Sequence, residues 1–227
     1  MSKVSLEDVS EHMVLVGLAG PDSHKLLTQA VDQAPNDDYQ TNITDTLCSY
    51  KLPGSVNRYM LLGLTEKMKI IWESLAKDTT EANTSSWKLS DIRAGIPHIS
   101  TDTVEAFVPQ MVNLQIVNGV NFKKGCYPGQ EVVARMQYLG KLKRRMYRAV
   151  ISDESLMPKA GDEIYSPESS SGQGAGKVVN VERSPQGGYE LLSVMEIKSA
   201  EASGLKLANE NGPDIKLTDL PYAFDAA

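Results

Sequence analysis

The sequence predicts an α+β protein, and the order of its strand and helix patterns is the main reason. In the first part of the chain these patterns follow one another as strand, helix, strand, strand and helix, an order that favours helices packed on one face of a sheet. After Arg148 the chain changes to short strand patterns separated by prolines and glycines, which is typical of a small barrel or sandwich. We therefore expect an α+β region at residues 1–148 and a small β-barrel at residues 149–227.

Each predicted element rests on hydrophobic spacing and on the residues that mark turns. Apolar runs predict strands, apolar residues that recur every three to four positions predict helices, and Pro, Gly and Ser mark the ends. Residues 34–46 are polar and predict a loop, whereas Pro53-Gly54-Ser55 between two short strands predicts a hairpin. The predicted helices are residues 21–31, 65–76 and 87–94, and the predicted strands are residues 12–18, 47–52, 58–62, 149–151, 162–165, 177–182 and 189–197.

The composition is that of an ordinary globular protein. Of the 227 residues, 41% are hydrophobic and 23% are charged, and no apolar run approaches the roughly 18 residues of a membrane span. The N-terminus lacks the basic, apolar and small-residue order of a secretory signal. Cys48 and Cys126 lie far apart without a C-x-x-C partner, which predicts neither a disulfide framework nor a zinc site. We therefore expect a cytoplasmic protein that makes no contact with a membrane.

The charge is distributed unevenly along the chain. The net charge is −6, yet the segment from Lys123 to Arg148 contains eight Lys or Arg residues and one acid, Glu131, so it carries +7 and the remainder −13. A local positive charge attracts anionic partners even to an acidic protein. The anion could be the polyglutamate tail of a folate or an RNA backbone. Alternatively, Lys141 to Arg148 could be an exposed strand edge that is kept soluble by its charges.

A turn that contains Cys126 is the main candidate for chemistry. Residues 117–122 have strand character, Pro128 and Glu131 suit the first turn of a helix, and apolar residues recur at helical spacing over residues 132–139. Cys126 therefore sits just before a helix start, and two lysines precede it. A helix N-terminus and nearby ammonium groups both favour a thiolate, so we expect a nucleophilic or metal-liganding sulfur. The alternative is an inert, buried cysteine.

The sequence around this turn resembles a family signature. Residues 124–131, Lys-Gly-Cys-Tyr-Pro-Gly-Gln-Glu, are similar to the K-G-C-Y-x-G-Q-E signature of the YgfZ family, and the match extends through residues 89–97, 107–114, 133–135 and 141–148. These folate-binding proteins are related to the glycine-cleavage T protein, an aminomethyltransferase. The resemblance implies a T-protein-like folate-binding fold that binds tetrahydrofolate or a derivative, with Cys126 as the reactive residue. It implies folate contacts by Lys124, Gly125, Tyr127, Gly129, Gln130, Glu131 and Arg135.

The resemblance also implies a function, and the chain differs from the family pattern in two respects. Family members support iron–sulfur enzymes, including tRNA-modifying ones, so we expect an accessory factor with such clients rather than a turnover enzyme. The alternatives are a folate-dependent aminomethyl or one-carbon transferase, or a tRNA-binding module that uses Lys141 to Arg148. In many relatives a Glu that helps to hold the pterin stands where this chain has Arg93. Complete members also carry a further N-terminal segment, which we expect this chain to lack.

Overall fold

Two antiparallel sheets organise the chain in the computed structural model, which describes residues 3–169 and 174–224. The first sheet has four strands and lies in the compact unit of residues 1–83, and the second has six strands and lies in the unit of residues 84–227. The combination of helices with antiparallel sheets confirms the predicted α+β class. The predicted boundary between residues 148 and 149 falls inside one strand of the second sheet, whereas the compact units divide between residues 83 and 84.

The first unit is a sheet with two helices on one face. Its elements are β1 (Met13–Ala19), α1 (Ser23–Ala30), β2 (Thr41–Ile43), β3 (Leu47–Leu52), β4 (Arg58–Leu64) and α2 (Thr65–Leu75), and the strand order is β1-β4-β3-β2. Leu27 of α1 and Met68 and Ile71 of α2 are buried against Tyr59 and Leu61 of β4. The predicted strands, helices and hairpin are therefore confirmed. Burial of this apolar face is the main force that holds the helices on the sheet.

One strand of this unit was not predicted from the sequence. Strand β2 lies within residues 34–46, which the sequence predicts as a loop. Its three residues are too few to show a hydrophobic period, and they form a strand by pairing with β3.

On the face away from the helices, Ile43, Cys48, Leu62 and Leu15 form one row across the four strands. Both ends of this row, Leu15 and Ile43, are exposed.

The second unit contains a curled sheet. Its helices and strands are α3 (Thr84–Arg93), α4 (Gln130–Tyr138), β5 (Arg144–Ile151), β6 (Glu163–Tyr165), β7 (Gly176–Arg183), β8 (Tyr189–Glu196), α5 (Ile197–Glu201), β9 (Lys206–Leu207) and β10 (Lys216–Thr218). The strand order is β10-β5-β8-β7-β6-β9. The two outer strands approach each other, since Lys206 forms a bridge with Asp214 and Leu207 N donates to Pro213 O at 2.9 Å. This closure confirms the predicted small barrel.

Strand β8 is the centre of this unit because both of its faces are buried. Leu191 and Met195 belong to one apolar cluster, and Leu192 and Val194 belong to another that includes Ile92 of α3. Successive side chains of a strand point to opposite faces, so one strand can supply both clusters. The near-continuous apolar sequence of β8 fits a strand that is covered on both sides.

One sequence-based expectation in this unit is wrong. Residues 117–122 form turns instead of a strand: Asn118 adopts a left-handed φ of 58°, and Gly119 N donates to Leu114 O at 2.7 Å. An Asn tolerates this conformation, which ends any extended segment. In the charged strand β5, Arg148 to Val150 pair with both β8 and β10, whereas residues 144–147 pair with β8 alone.

A buried carboxylate connects α3 to the sheet. The side chain of Glu190 is only 5% exposed and receives hydrogen bonds from Arg93 Nε at 3.1 Å, Arg148 Nη2 at 2.9 Å and Ser184 Oγ at 3.1 Å. Burial raises the pKa of Glu190, but the hydrogen bonds from Arg93 and Arg148 outweigh it and lower the pKa from 4.5 to about 2. The ionised form of Glu190 therefore stabilises the folded state.

We predict that Glu190→Gln lowers the free energy of unfolding of the second unit by roughly 2–3 kcal/mol at pH 7, because it leaves two guanidinium groups without their anion. A lowered pKa stabilises the fold above the unfolded value near 4.5, and this stabilisation is lost as the pH falls towards 2. The loss caused by the substitution should therefore shrink below pH 4. Urea unfolding measured by Trp87 fluorescence in a Trp72→Phe background reports on this unit.

The matched control for this prediction is Glu182→Gln. Glu182 faces Glu190 in the neighbouring strand, but its ion-pair partner, Lys88 Nζ, is 4.0 Å away and mostly exposed. We expect a change within about 0.5 kcal/mol. Equal losses for the two variants, or a loss for Glu190→Gln that does not depend on pH, would contradict the role assigned to Glu190.

Candidate functional site

The candidate site is the turn that leads into α4, and its thiol faces solvent. Cys126 is a free, exposed cysteine four positions before Gln130, the first residue of α4. An exposed position contradicts the alternative of an inert cysteine packed in the core. Pro128 lies ahead of α4 rather than in its first turn as predicted, because Gly129 occupies the N-cap position. Glu131 is in the first turn, as predicted.

Backbone and side-chain hydrogen bonds fix the shape of this turn. Tyr127 N donates to Gln130 Oε1 at 3.2 Å, and Gln130 N donates back to Tyr127 O at 3.2 Å. Gly129 has φ +83°, a left-handed conformation that a residue with a side chain rarely adopts. The ammonium group of Lys124 lies 4.6 Å from the centroid of the Tyr127 ring, within range of a cation–π interaction. The structure thus brings four predicted site residues together around Cys126.

Two further predicted site residues, Glu131 and Arg135, form an ion pair with each other within α4. Arg135 Nη2 lies 3.4 Å from Glu131 Oε1, and both side chains are largely exposed. An exposed pair at this spacing contributes at most a few tenths of a kcal/mol. Glu131 and Arg135 are therefore accessible to a ligand, but no contact joins them to the Cys126 turn in the described residues. Gly125 has open space around it.

The inner side of α4 is held by a residue that sequence reasoning missed. Gln110, in a short 3-10 turn at Pro109–Val112, is buried and donates from Nε2 to Val133 O at 2.7 Å. Val133 is also buried. The rings of Phe122 and Tyr138 also pack edge-to-face, with centroids 6.3 Å apart. The block of residues 107–114 that matches the family signature contains Gln110, and that match was the signal that could have identified it.

The basic segment divides into paired arginines and free lysines. Arg144 pairs with Glu196 at 3.5 Å and Arg148 with Glu190 at 2.9 Å, and the guanidinium carbon of Arg145 lies 4.4 Å from the Phe224 ring centroid. In the part of the chain that the structure describes, the exposed lysines on either side of α4 have no carboxylate within ion-pair distance. These lysines are Lys123, Lys124, Lys141 and Lys143.

The described residues fit one end of a folate better than the other. A folate carries a pterin with amide-like donors and a glutamate tail with carboxylates, so it needs acceptors at one end and cations at the other. Lys124 and Arg135 are exposed cations that suit the carboxylates. Arg93 is bound to Glu190 and offers no acceptor to a pterin. Gln110 Oε1 and Asn113 Oδ1 are acceptors without a partner, but both atoms are fully buried.

Searches for a metal site and a membrane span gave no candidate in the described residues. No cluster of three or more His, Cys, Asp or Glu side chains in residues 3–169 and 174–224 could hold a metal ion. Over the same residues, no helix combines the length and the apolar character that crossing a membrane requires.

Comparisons with known proteins give consistent similarities in sequence. No family model matches the chain. Three curated relatives are each called tRNA-modifying protein YgfZ. The protein from Yersinia enterocolitica is 31% identical over 93% of this chain and 64% of its own length, that from Yersinia pseudotuberculosis 30% over 98% and 67%, and that from Colwellia psychrerythraea 30% over 99% and 68%. The chain thus spans about two thirds of the length of these relatives.

A solved structure gives the same fold. The glycine cleavage system aminomethyltransferase T from Bartonella henselae superimposes with a TM-score of 0.68 at 14% identity, over 92% of this chain and 59% of its own length. This similarity confirms the predicted aminomethyltransferase-like fold. At this identity it carries no information about activity.

We predict that Cys126 reacts with iodoacetamide in the native protein roughly ten times faster or more than Cys48, because Cys126 is exposed and Cys48 is half-buried in β3. Mass spectrometry of each alkylated peptide over time measures both rates. Cys126→Ser and Cys48→Ser are the two single-thiol controls. If Cys126 reacts only after denaturant is added, the exposed turn described here is incorrect.

Proposed function

Because the chain belongs to the family of the tRNA-modifying protein YgfZ, we propose that it is a folate-binding protein that takes part in tRNA modification, with the Cys126 thiol as its reactive group. The finer proposal is that it supports the assembly or repair of iron–sulfur enzymes in the cytoplasm, including tRNA-modifying enzymes. The observation that carries the proposal is the exposed position of Cys126 on a turn held by Tyr127, Gln130 and Gly129.

The position of Cys126 suits reaction with a macromolecular client. A thiolate is both a nucleophile and a soft metal ligand, and an exposed one can reach the surface of another protein without a conformational change. The described residues place no other ligand cluster beside it. Cys126 would therefore contribute one ligand or one covalent bond, and the client would provide the remaining ligands.

Lys124 would position the folate next to this thiol. Its ammonium group is held over the Tyr127 ring, which orders the side chain while its charge stays exposed to a glutamate carboxylate. A bound tetrahydrofolate supplies a one-carbon carrier. The residues of this chain would bind its tail and keep it beside Cys126, whereas Arg93 is engaged by Glu190 and would not contact the pterin.

An accessory role is preferred to a transferase. The resemblance to the T protein extends to the fold, but that family has an acidic residue where this chain has Cys126. A transferase would turn over an aminomethyl donor in a tetrahydrofolate-dependent reaction, and this turnover would survive Cys126→Ser. The proposed accessory protein shows no such turnover, so a tetrahydrofolate-dependent assay of the wild type and of Cys126→Ser separates the two functions.

We predict that Cys126→Ser abolishes the function of the protein in cells, because serine keeps the size of the side chain but lacks the nucleophilic and metal-binding sulfur. Bacteria that lack their own relative are complemented with the full protein that contains this sequence. The modified tRNA nucleosides and iron–sulfur enzyme activities are then measured. Cys48→Ser is the matched control and should restore both. If Cys126→Ser restores them as well, the thiol is not the reactive group.

We predict that tetrahydrofolate triglutamate binds more tightly than the monoglutamate, and that Lys124→Gln removes most of this difference, because the exposed ammonium attracts the added carboxylates. Calorimetric titration measures the affinities of the wild type and of Lys124→Gln for both folates, at low and at high salt. Lys159→Gln, at an exposed lysine of the same unit, is the control. Equal affinities of the wild type for both folates would contradict this placement of the tail.

A further inference from the structure

The outer side of α4 combines exposed apolar side chains with cations in an unusual way. Tyr138 is 69% exposed and Leu139 is 85% exposed, and Val132 near the other end of the helix is also exposed. Lys123 and Lys124 precede α4, and Lys141 and Lys143 follow it. We call these seven residues the α4 surface. Exposed apolar patches rimmed by polar residues mark interaction sites in many proteins, and this surface has that composition.

The ring of Tyr138 is held in place although it is exposed. The ring of the half-buried Phe122 packs edge-to-face with it at a centroid separation of 6.3 Å and an interplanar angle of 65°. An edge-to-face contact of this kind leaves a ring face free for a ligand and restricts the motion of the ring. A flat group that stacks on Tyr138 would therefore cost little ordering entropy.

The charges on this surface are available to an external anion. The four lysines have no carboxylate partner in the described residues, whereas Arg144 and Arg148 of the same basic segment are bound to Glu196 and Glu190. The helix between the two lysine pairs has nine residues, or about 13 Å of length. The cations are therefore spaced along an extended ligand rather than gathered around one small ion.

We propose that the α4 surface binds single-stranded RNA, with an unpaired base stacked on Tyr138 and backbone phosphates at the four lysines. Proteins that recognise RNA loops and ends stack splayed bases on aromatic side chains and contact the backbone with cations. A base inside a duplex has no free face to offer to Tyr138. The chain outside residues 123–148 carries −13 and repels a polyanion, which favours RNA binding at this surface.

This proposal rests on the proposed function in tRNA modification. It identifies the loop of a tRNA as the ligand that the protein binds. The proposed contact differs from the predicted one through Lys141 to Arg148. The lysines of that segment are free, but its arginines are used within the fold. An RNA backbone would therefore contact residues on both sides of α4 rather than the strand.

The test compares an RNA stem-loop that has an unpaired loop with a fully paired RNA duplex that has the same number of phosphates. We expect the stem-loop to bind more tightly. Tyr138→Leu keeps an apolar side chain but removes the stacking face, and should weaken stem-loop binding roughly tenfold while it leaves duplex binding unchanged. Tyr138→Phe should restore stem-loop binding. Fluorescence anisotropy at several salt concentrations measures all affinities.

The lysines are tested by the salt dependence of the same binding. The double substitution Lys141→Gln/Lys143→Gln should reduce the slope of log affinity against log salt by roughly 1.4, since each lost phosphate contact in a single strand contributes about 0.7. Lys159→Gln/Lys216→Gln removes two exposed lysines elsewhere in the same unit and should leave the slope unchanged. Equal slopes for the two double variants would overturn the proposal.

Two further outcomes would overturn it. Equal affinity of the wild type for the stem-loop and the duplex would mean that no unpaired base is read. Cys48→Ser should bind the stem-loop normally. A protein that needs Cys126 in cells but does not bind the stem-loop would refute this inference and leave the proposed function intact.

Discussion

The buried ion cluster of Glu190, Arg93 and Arg148 is the interaction on which the second unit depends. It joins α3 to β5 and β8 through a carboxylate that is almost inaccessible to water. Burying charges costs free energy, so the intact cluster makes a smaller net contribution to the stability of the fold than its individual contacts suggest. Removing any one of its side chains costs more, because this leaves a buried charge without its counter-charge. This constraint fixes where α3 ends relative to the sheet. It also fixes the positions of two guanidinium groups that would otherwise attract an anionic ligand.

The same cluster determines what remains for function. With Arg148 on Glu190 and Arg144 on Glu196, the positive charge available to a ligand comes from lysines that flank α4. Lysine is a mobile point charge and suits phosphate or carboxylate groups in varied positions. The paired arginines serve the fold, and the lysines are free to serve binding. The residues of this basic segment therefore have two different roles in the structure: its paired arginines stabilise the fold, and its lysines are available for binding.

The Cys126 turn combines local rigidity with exposure. Gly129 in a left-handed conformation and the reciprocal bonds between Tyr127 and Gln130 hold the backbone, while buried Gln110 and Val133 fix α4 to the unit. The thiol itself makes no packing contact that would shield it. This arrangement suits a group that acts on a partner, because the contacts that hold the turn leave the thiol exposed to solvent.

The sequence alone was enough to predict the α+β class, the β3–β4 hairpin, helices α1 to α4 and the Cys126 turn, because each depends on spacing and turn residues within a short stretch. Only the tertiary structure shows that Arg148 to Val150 of β5 pair on both sides, that residues 117–122 turn, and which cations stay free. Arg93 and Glu190 are separated by 97 residues in the chain. No local pattern identifies such a partner, because electrostatic pairing depends on distance in space, which the fold alone sets.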